Sequence, residues 1–336
     1  MVDTLSYPPF PCKLALVGEA PGAEEIQQGR PFVGESGRLL DKLLKHAKLE
    51  RSEIYVTNVF STRPRGNNVK EFFTRGGIGP KHSGYGNCNE PNELVRLSDE
   101  LKSAAPSVVV ALGGTALWAL TGLEKISKYR GTVLSYGDSN LVATYHPAAI
   151  LRDYSLLPIA AMDLEKAHKI LLEGFLPRER KVHVCETLGD VEEAIRKCSS
   201  GFAVDVETLG KQITSLSLAP SPELSYVIPL WWPTLDVMKL HSCWTGAEEK
   251  KIMLLLNDLF RSSVRKILQN ATYDLSYFAD LGLFFRAPLD DTMLMAHVHQ
   301  PEWAKSLGFL GSIYANEVSW KESRVGKIKD RNKTDD

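Results

Sequence analysis

Between Lys13 and Leu172, short runs of β-branched and aliphatic residues alternate with stretches whose apolar residues recur every three or four positions. Few architectures satisfy both periods in turn. The runs KLALV from Lys13, IYVTNV from Ile54, SVVVALG from Ser107 and NLVATY from Asn140 read as buried strands. Leu39, Leu40, Leu43, Leu44 and Ala47 mark one helix face, and Leu94, Leu97 and Leu101 another. Strand and helix in repetition predict a parallel sheet covered by helices on both faces, a three-layer α/β/α arrangement. A helix ending near Leu172 closes the unit. The Gly-rich segment RGGIGPKHSGYGN from Arg75 interrupts the alternation and is expected to be a long surface loop.

A second pattern begins after EGFLPRERK from Glu173, where charge, Pro and Gly replace the apolar periodicity of a helix. That change places the domain boundary between residues 1–175 and 176–336. Two cores suit a chain of 336 residues with 43% hydrophobic content. In the second domain GFAVDVET, QITSLSLAP and SYVIPLWW follow one another with short connections, which predicts an antiparallel meander. A helix from about Ala247 to Arg261, the strand KILQN from Lys266 and a helix from about Tyr273 complete a mixed sheet of the ribonuclease H type. The charged tail KESRVGKIKDRNKTDD is expected to be frayed.

Open parallel sheets bind ligands beyond the carboxyl ends of their strands. Those positions are Gly18-Glu19-Ala20-Pro21-Gly22 after the first strand, Asn58 after the second, Gly113-Gly114 after the third and Tyr145-His146-Pro147 after the fourth. Each alone is ordinary: a Gly-Pro turn, a polar cap, a structural histidine. Together they converge on one rim. The fold alone leaves a nucleotide or a small metabolite as possible occupants.

The string GEAPGAEEIQQGRPFVGESGRLLD, from Gly18 to Asp41, resembles the first motif of the family 4 uracil-DNA glycosylases. The resemblance continues through VTNVFSTRPRGNN, PSVVVALGGTALWALTG and YHPAAILR, and so spans the first domain. It implies an enzyme that flips uracil out of DNA and hydrolyses its N-glycosidic bond. His146 matches the catalytic histidine, which stabilises the departing uracil anion at O2. Asn58 matches the amide that distinguishes uracil from cytosine, because the two bases present opposite donor and acceptor patterns. Phe32 matches the aromatic ring that stacks on the extruded base. Glu19 and Glu25 fall on acidic positions that orient water or steady the cationic sugar, Glu25 being favoured. Ala20 stands where other glycosylase families carry a water-activating Asp. The backbone of Gly18, Pro21 and Gly22 is suited to hold phosphate or a uracil oxygen. Leu151 and Arg152 match a minor-groove loop, as wedge and phosphate contact.

Such enzymes usually hold an iron-sulfur cluster on four cysteines, whereas the first domain offers only Cys12 and Cys88. The resemblance is therefore to cluster-less relatives fused to phage DNA polymerases, with no iron-sulfur cluster expected. Five scattered cysteines, no membrane-length apolar run and no leader pattern predict a reduced, cytoplasmic protein, bacterial or of a phage-infected cell. A net charge of -1 requires DNA binding to rest on local basic patches.

In GFAVDVETLG, Asp205 and Glu207 alternate along a strand and share a face, while NATYDLSYF places Asn270 at a strand end and Asp274 at a helix start. Carboxylates on an otherwise buried strand call for a cation. These motifs, with LDDTMLMAHV and SLGFL, resemble the proofreading 3'-5' exonuclease domain of DNA polymerase I relatives. That resemblance implies Mg2+ or Mn2+ held by Asp205, Glu207 and Asp274. It also implies a third motif, Tyr-x-x-x-Asp, which Tyr314-Ala315-Asn316-Glu317 does not supply. The expected partners are uracil-containing DNA and a polymerase, or a chain that completes the exonuclease. A catalytically silent module that positions a polymerase on DNA is the alternative, and a metabolite-binding protein a third.

Overall fold

The computed structural model describes residues 11–76, 78–233 and 240–315. The expected frayed tail lies outside the described residues. Contacts divide the chain into two units: residues 11–175 with residues 308–315, and residues 176–307 outside the undescribed positions.

The first unit is built on strands β1 (Leu14–Gly18), β2 (Ile54–Asn58), β3 (Val108–Leu112), β4 (Val133–Tyr136) and β5 (Ser139–Thr144). Their order is β2-β1-β3-β5-β4, with β1, β2, β3 and β5 parallel and β4 antiparallel at the edge. Both faces are buried, as the unbroken apolar strands require. On one face Ala15, Val17, Tyr55, Val109 and Leu141 meet Leu97 and Leu101 of helix α3 (Pro91–Ala104) and Leu117 of α4 (Gly114–Thr121). On the other, Leu14, Leu16, Val56, Val110 and Val142 meet Leu40 and Leu44 of α2 (Glu35–His46) and Leu164 of α6 (Leu157–Glu173). Between them, α1 (Ala23–Gln28) and α5 (Pro147–Arg152) are short helices at the strand ends. At roughly 1.5–3 kcal/mol per buried Val or Leu, these two layers are the main source of stability.

The three-layer expectation is met, with two differences. The segment from Arg75 is not a plain loop. Phe73–Thr74, Lys81–His82 and Gly86–Cys88 form a small antiparallel sheet, sealed by Phe73, which packs edge-on against Trp118 at 5.2 Å. Strand β4 also went unforeseen, because VLSY is short and lies on the sheet edge.

The second unit comprises β6 (Lys181–Val184), α7 (Leu188–Lys197), β7 (Phe202–Leu209), β8 (Gln212–Ser221), β9 (Leu224–Pro229), α8 (Gly246–Arg261), β10 (Lys266–Leu268), α9 (Ala271–Asp280), β11 (Leu289–Asp291) and α10 (Thr292–His299). The order is β11-β10-β7-β8-β9-β6. The meander β7-β8-β9 is antiparallel, while β10 runs parallel to β7, which gives the expected mixed sheet. Among the described residues, no helix is long and apolar enough to cross a membrane.

Candidate active site

Backbone hydrogen bonds continue past the ends of β1 and β2, from Val59 N to Gly18 O and from Phe60 N to Glu19 O, each 3.0 Å. Gly113 N donates to Thr144 O at 2.8 Å and draws the ends of β3 and β5 together. Over this rim lies a cavity of about 580 Å³. Its lining includes Glu19, Ala20, Pro21, Gly22, Glu25, Phe32, Asn58, His146, Leu151 and Arg152. Residues far apart in sequence thus meet. Gly18 forms the base beneath them: a Cβ there would lie 2.3 Å from Asn58 Oδ1 and 2.5 Å from Phe32 Cζ, so only glycine lets the two close in.

Asn58 is buried, and its Oδ1 has no hydrogen-bond partner among the described residues. A buried acceptor left unmade is costly, so its retention points to a donor arriving with a ligand. Phe32 is buried at the same place with φ of 53°, and its ring lies 5.6 Å from the His146 ring, tilted by 35°. His146 caps α5, where Nδ1 accepts from Ala148 N–H at 3.1 Å. That bond places the proton of the neutral ring on Nε2. Burial, then the Arg152 charge, pushes the imidazole down to about 4, against the opposing pull of Glu25. The cavity therefore holds a neutral histidine donor.

The two glutamates separate in role. Glu25 is buried, and its carboxylate accepts from Val33 N at 2.9 Å, Gly34 N at 2.8 Å and Gly22 N at 3.1 Å. It ties two loops of the rim together through backbone amides, at the residue favoured for orienting water or steadying the cationic sugar. The bond from Gly22 N occupies one of the amides expected to hold phosphate or a uracil oxygen. Glu19 is half-buried, with one oxygen held by Thr115 Oγ1 at 2.5 Å. Leu151 is half-buried against the α2 core rather than projecting as a free wedge, whereas Arg152 is exposed.

Thr115 and Gly37 were not singled out in the sequence, and Gly113 was placed on the rim without its closeness to His146. A Cβ on Gly37 would lie 1.9 Å from Phe32 O, and one on Gly113 would touch His146 Cβ at 3.0 Å. Only the spacing of glycines around the motifs could have hinted at them.

Cys12 and Cys88 are both buried in the apolar core, and burial raises both thiols. Two such thiols do not fit an iron-sulfur cluster. In the second unit Asp205 and Glu207 share a face of β7, opposite Ser217 and Ser215 of β8. That face is open: Asp205 is exposed and Glu207 half-buried, contrary to the expected buried strand. Asp274 is buried, and burial with the Asp205 charge pushes its carboxyl up to about 6. Asp291 is spent on backbone amides of Asn270, Ala271 and Met293. No three His, Cys, Asp or Glu side chains converge at metal-holding distance among the described residues. Asp205, Glu207 and Asp274 are thus not gathered into the expected metal-holding triad among the described residues, although the Asp205 charge reaches Asp274, and the arrangement does not fit a two-metal centre.

A parallel α/β sheet whose strand ends hold an orphaned amide, an aromatic ring and a neutral imidazole over a cavity of about 580 Å³, ample for a base with its sugar, suits an enzyme that handles nucleobases. Residues 6–170 match the Uracil DNA glycosylase superfamily. The type-4 uracil-DNA glycosylase of Thermotoga maritima is 34% identical over 164 residues, 47% of this chain and 78% of that protein. The type-4 enzyme of Archaeoglobus fulgidus is 35% identical, covering 41% of this chain and 67% of its own length. The chain belongs to the type-4 uracil-DNA glycosylase family and is a glycosylase of the hydrolase class. A DNA polymerase of Bacillus phage SP01 is 20% identical over 335 residues, 89% of this chain but 34% of the polymerase. Escherichia coli RNase D matches with 17% identity and a TM-score of 0.30, covering 44% of this chain and 36% of its own. That likeness is too slight to assign chemistry.

Proposed function

We propose that the first unit hydrolyses the N-glycosidic bond of uracil in DNA, and the unpartnered Asn58 Oδ1 carries the reading. A flipped uracil between Phe32 and the rim presents N3–H to that acceptor, whereas cytosine presents an acceptor at N3 and meets repulsion. As the bond from N1 to C1′ breaks, the electron pair moves onto the base. His146 Nε2–H donates to the growing charge at O2. Glu19, steadied by Thr115, is the carboxylate left to orient water toward C1′ and to balance the cationic sugar. Arg152, exposed on the rim, contacts phosphate.

We read the second unit as the exonuclease-like companion of this glycosylase in a polymerase setting, supported by the alignment with a phage polymerase along most of the chain. The absence of a metal-holding carboxylate group among its described residues favours a module that positions DNA rather than one that cuts it. One assay separates these readings: a labelled uracil-containing oligonucleotide, with and without Mn2+, followed for abasic sites and for shortened ends. Uracil release without metal is expected, and His146→Ala and Asn58→Ala should each reduce it about a hundredfold, the scale of losing a key donor in a preorganised site. Undiminished release by both folded variants would remove the assignment. Ends shortened in Mn2+ but spared in Asp205→Ala would show a complete exonuclease instead.

A further inference from the structure

The two side chains that recognise the base in the proposed reaction both hang from backbone that is gripped from outside the cavity. At the end of edge strand β2, Arg96 of α3 donates from Nη2 to Asn58 O at 2.8 Å and Val59 O at 2.9 Å. Its other donors go to Glu93 Oε2 at 2.9 Å and Glu100 Oε1 at 2.5 Å. Those carboxylates reach the same strand end. Glu93 accepts from Ser61 N and Oγ at 2.8 and 2.7 Å, and Glu100 from Thr57 Oγ1 at 2.8 Å. The peptide plane that leaves the Asn58 Cα and the one after it are thereby held by one guanidinium, whose two acids grip Thr57 and Ser61 on either side. An asparagine has only two side-chain torsions, and close packing against Gly18 restricts both, so a shift of the backbone carries Oδ1 with it.

Phe32 has a parallel arrangement. Its left-handed φ is disfavoured for a residue with a Cβ and persists only where the surroundings impose it. Arg51 supplies that constraint, donating from Nη2 to Pro31 O at 2.8 Å and Phe32 O at 3.1 Å, and from Nη1 to Asp41 Oδ1 of α2 at 2.6 Å. Neither guanidinium lines the cavity. We propose that Arg96 and Arg51 are positioning residues for uracil recognition, each setting one of the two recognition side chains, Asn58 and Phe32, through its backbone carbonyls. Arginine suits both places because its planar fork serves several acceptors at fixed angles, which a lysine ammonium cannot do.

This inference rests on the glycosylase reading, so the test begins with uracil release by the intact wild-type chain. Arg96→Met, Arg96→Lys, Arg51→Met and Arg51→Lys are then compared for single-turnover rate, KM, inhibition by free uracil and melting temperature. Free uracil reports the base site without the chemistry. A displacement of about 1 Å can cost on the order of a hundredfold. Each Met variant, assayed well below its melting temperature, should weaken inhibition by uracil at least tenfold, with each Lys variant recovering part of the loss. The pH dependence, set by His146, should not move. If a Met variant fails to fold, Glu100→Gln and Asp41→Asn loosen the same two grips, and each should weaken uracil inhibition about threefold. Folded variants whose uracil inhibition stays within twofold of wild type, despite lower melting temperatures, would reduce both arginines to structural supports and overturn the inference. A wild-type chain that releases no uracil would overturn the glycosylase reading and this inference with it.

Discussion

His146 must stay neutral for Nδ1 to accept from Ala148 N–H, which leaves Nε2 as the donor, and its surroundings keep it so. Its folded value of about 4 lies below the ordinary 6.5. As pH falls through that interval the unfolded chain takes up a proton that the folded chain refuses, so this residue's effect is to lower stability from about pH 6.5 to about 4 and to leave it untouched above. Activity follows the same group: kcat/KM for uracil release should be level from pH 8 to 5 and fall only near 4. A profile that breaks near 6.5 would show that the imidazole is not shielded. Glu25 makes a second prediction at this scale. In Glu25→Gln one oxygen becomes an amide N–H2 facing a backbone donor, which leaves that donor unsatisfied and should cost roughly 1–3 kcal/mol in denaturant unfolding. A variant as stable as wild type would mean that the rim does not depend on the carboxylate. Asn58 and His146 stood out because each lies at or just past a strand end, and Phe32 because it sits in a long motif resembling the family's first, and all three line one cavity. The partition between Glu19 and Glu25 was not legible, since it depends on which loop amides fold back onto which carboxylate.

Helix α2 shows how an element serves the site. Its apolar residues bury against β1 and β2, and its first turn brings Gly37 under the Phe32 carbonyl. Two effects oppose each other in Gly37→Ala. Alanine in a helix interior is favoured over glycine by about 1 kcal/mol. Against this, the new Cβ would meet backbone at 1.9 Å, and forcing such contacts typically costs about 1–3 kcal/mol. The clash should win, so Gly37→Ala should lower both melting temperature and uracil affinity as the Phe32 turn is displaced. Unchanged uracil inhibition in this variant would show that the turn is free to shift. Legibility divides along the same line. Strands β1, β2, β3 and β5 were readable because four or five consecutive residues are buried on a sheet covered on both sides. The small sheet around Phe73 and Cys88 has strands of two or three residues, too short for any period, and its order comes from aromatic packing that no local pattern reveals. Likewise the spacing of Asp205 and Glu207 gave their shared face correctly but not its exposure.

At the scale of the whole chain, the first unit is not one continuous stretch. Residues 308–315, which follow the second unit in sequence, pack within the first, so the expected second domain of 176–336 loses them. Arg130 and Asp163 form a fully buried ion pair, and Asp163 Oδ2 also accepts from Thr144 Oγ1 at 2.8 Å, two residues before His146. The returning segment closes over this pair: Arg130 Nη1 donates to Ser312 Oγ at 2.9 Å, its guanidinium lies 5.2 Å from the Phe309 ring centre, and Lys166 Nζ donates to Ser312 O. Nothing in the sequence announced it, because SLGFL was read with the second domain and the partners of Ser312 lie more than a hundred residues away. A buried ion pair contributes little by itself, yet stripping one of its partners leaves a desolvated charge under-satisfied. Ser312→Ala removes the partner of one guanidinium N–H, which should cost about 1–3 kcal/mol. For a unit of this size that corresponds to a fall of several degrees in melting temperature. The glycosylase transition can be recognised in calorimetry as the one that free uracil raises. A chain ending after residue 307 should lower that transition further than Ser312→Ala, because the Phe309 ring and the cover over Lys166 go as well. If both leave it where it stands in the intact chain, residues 11–175 hold the buried pair unaided, and the returning segment contributes nothing to the fold that carries His146.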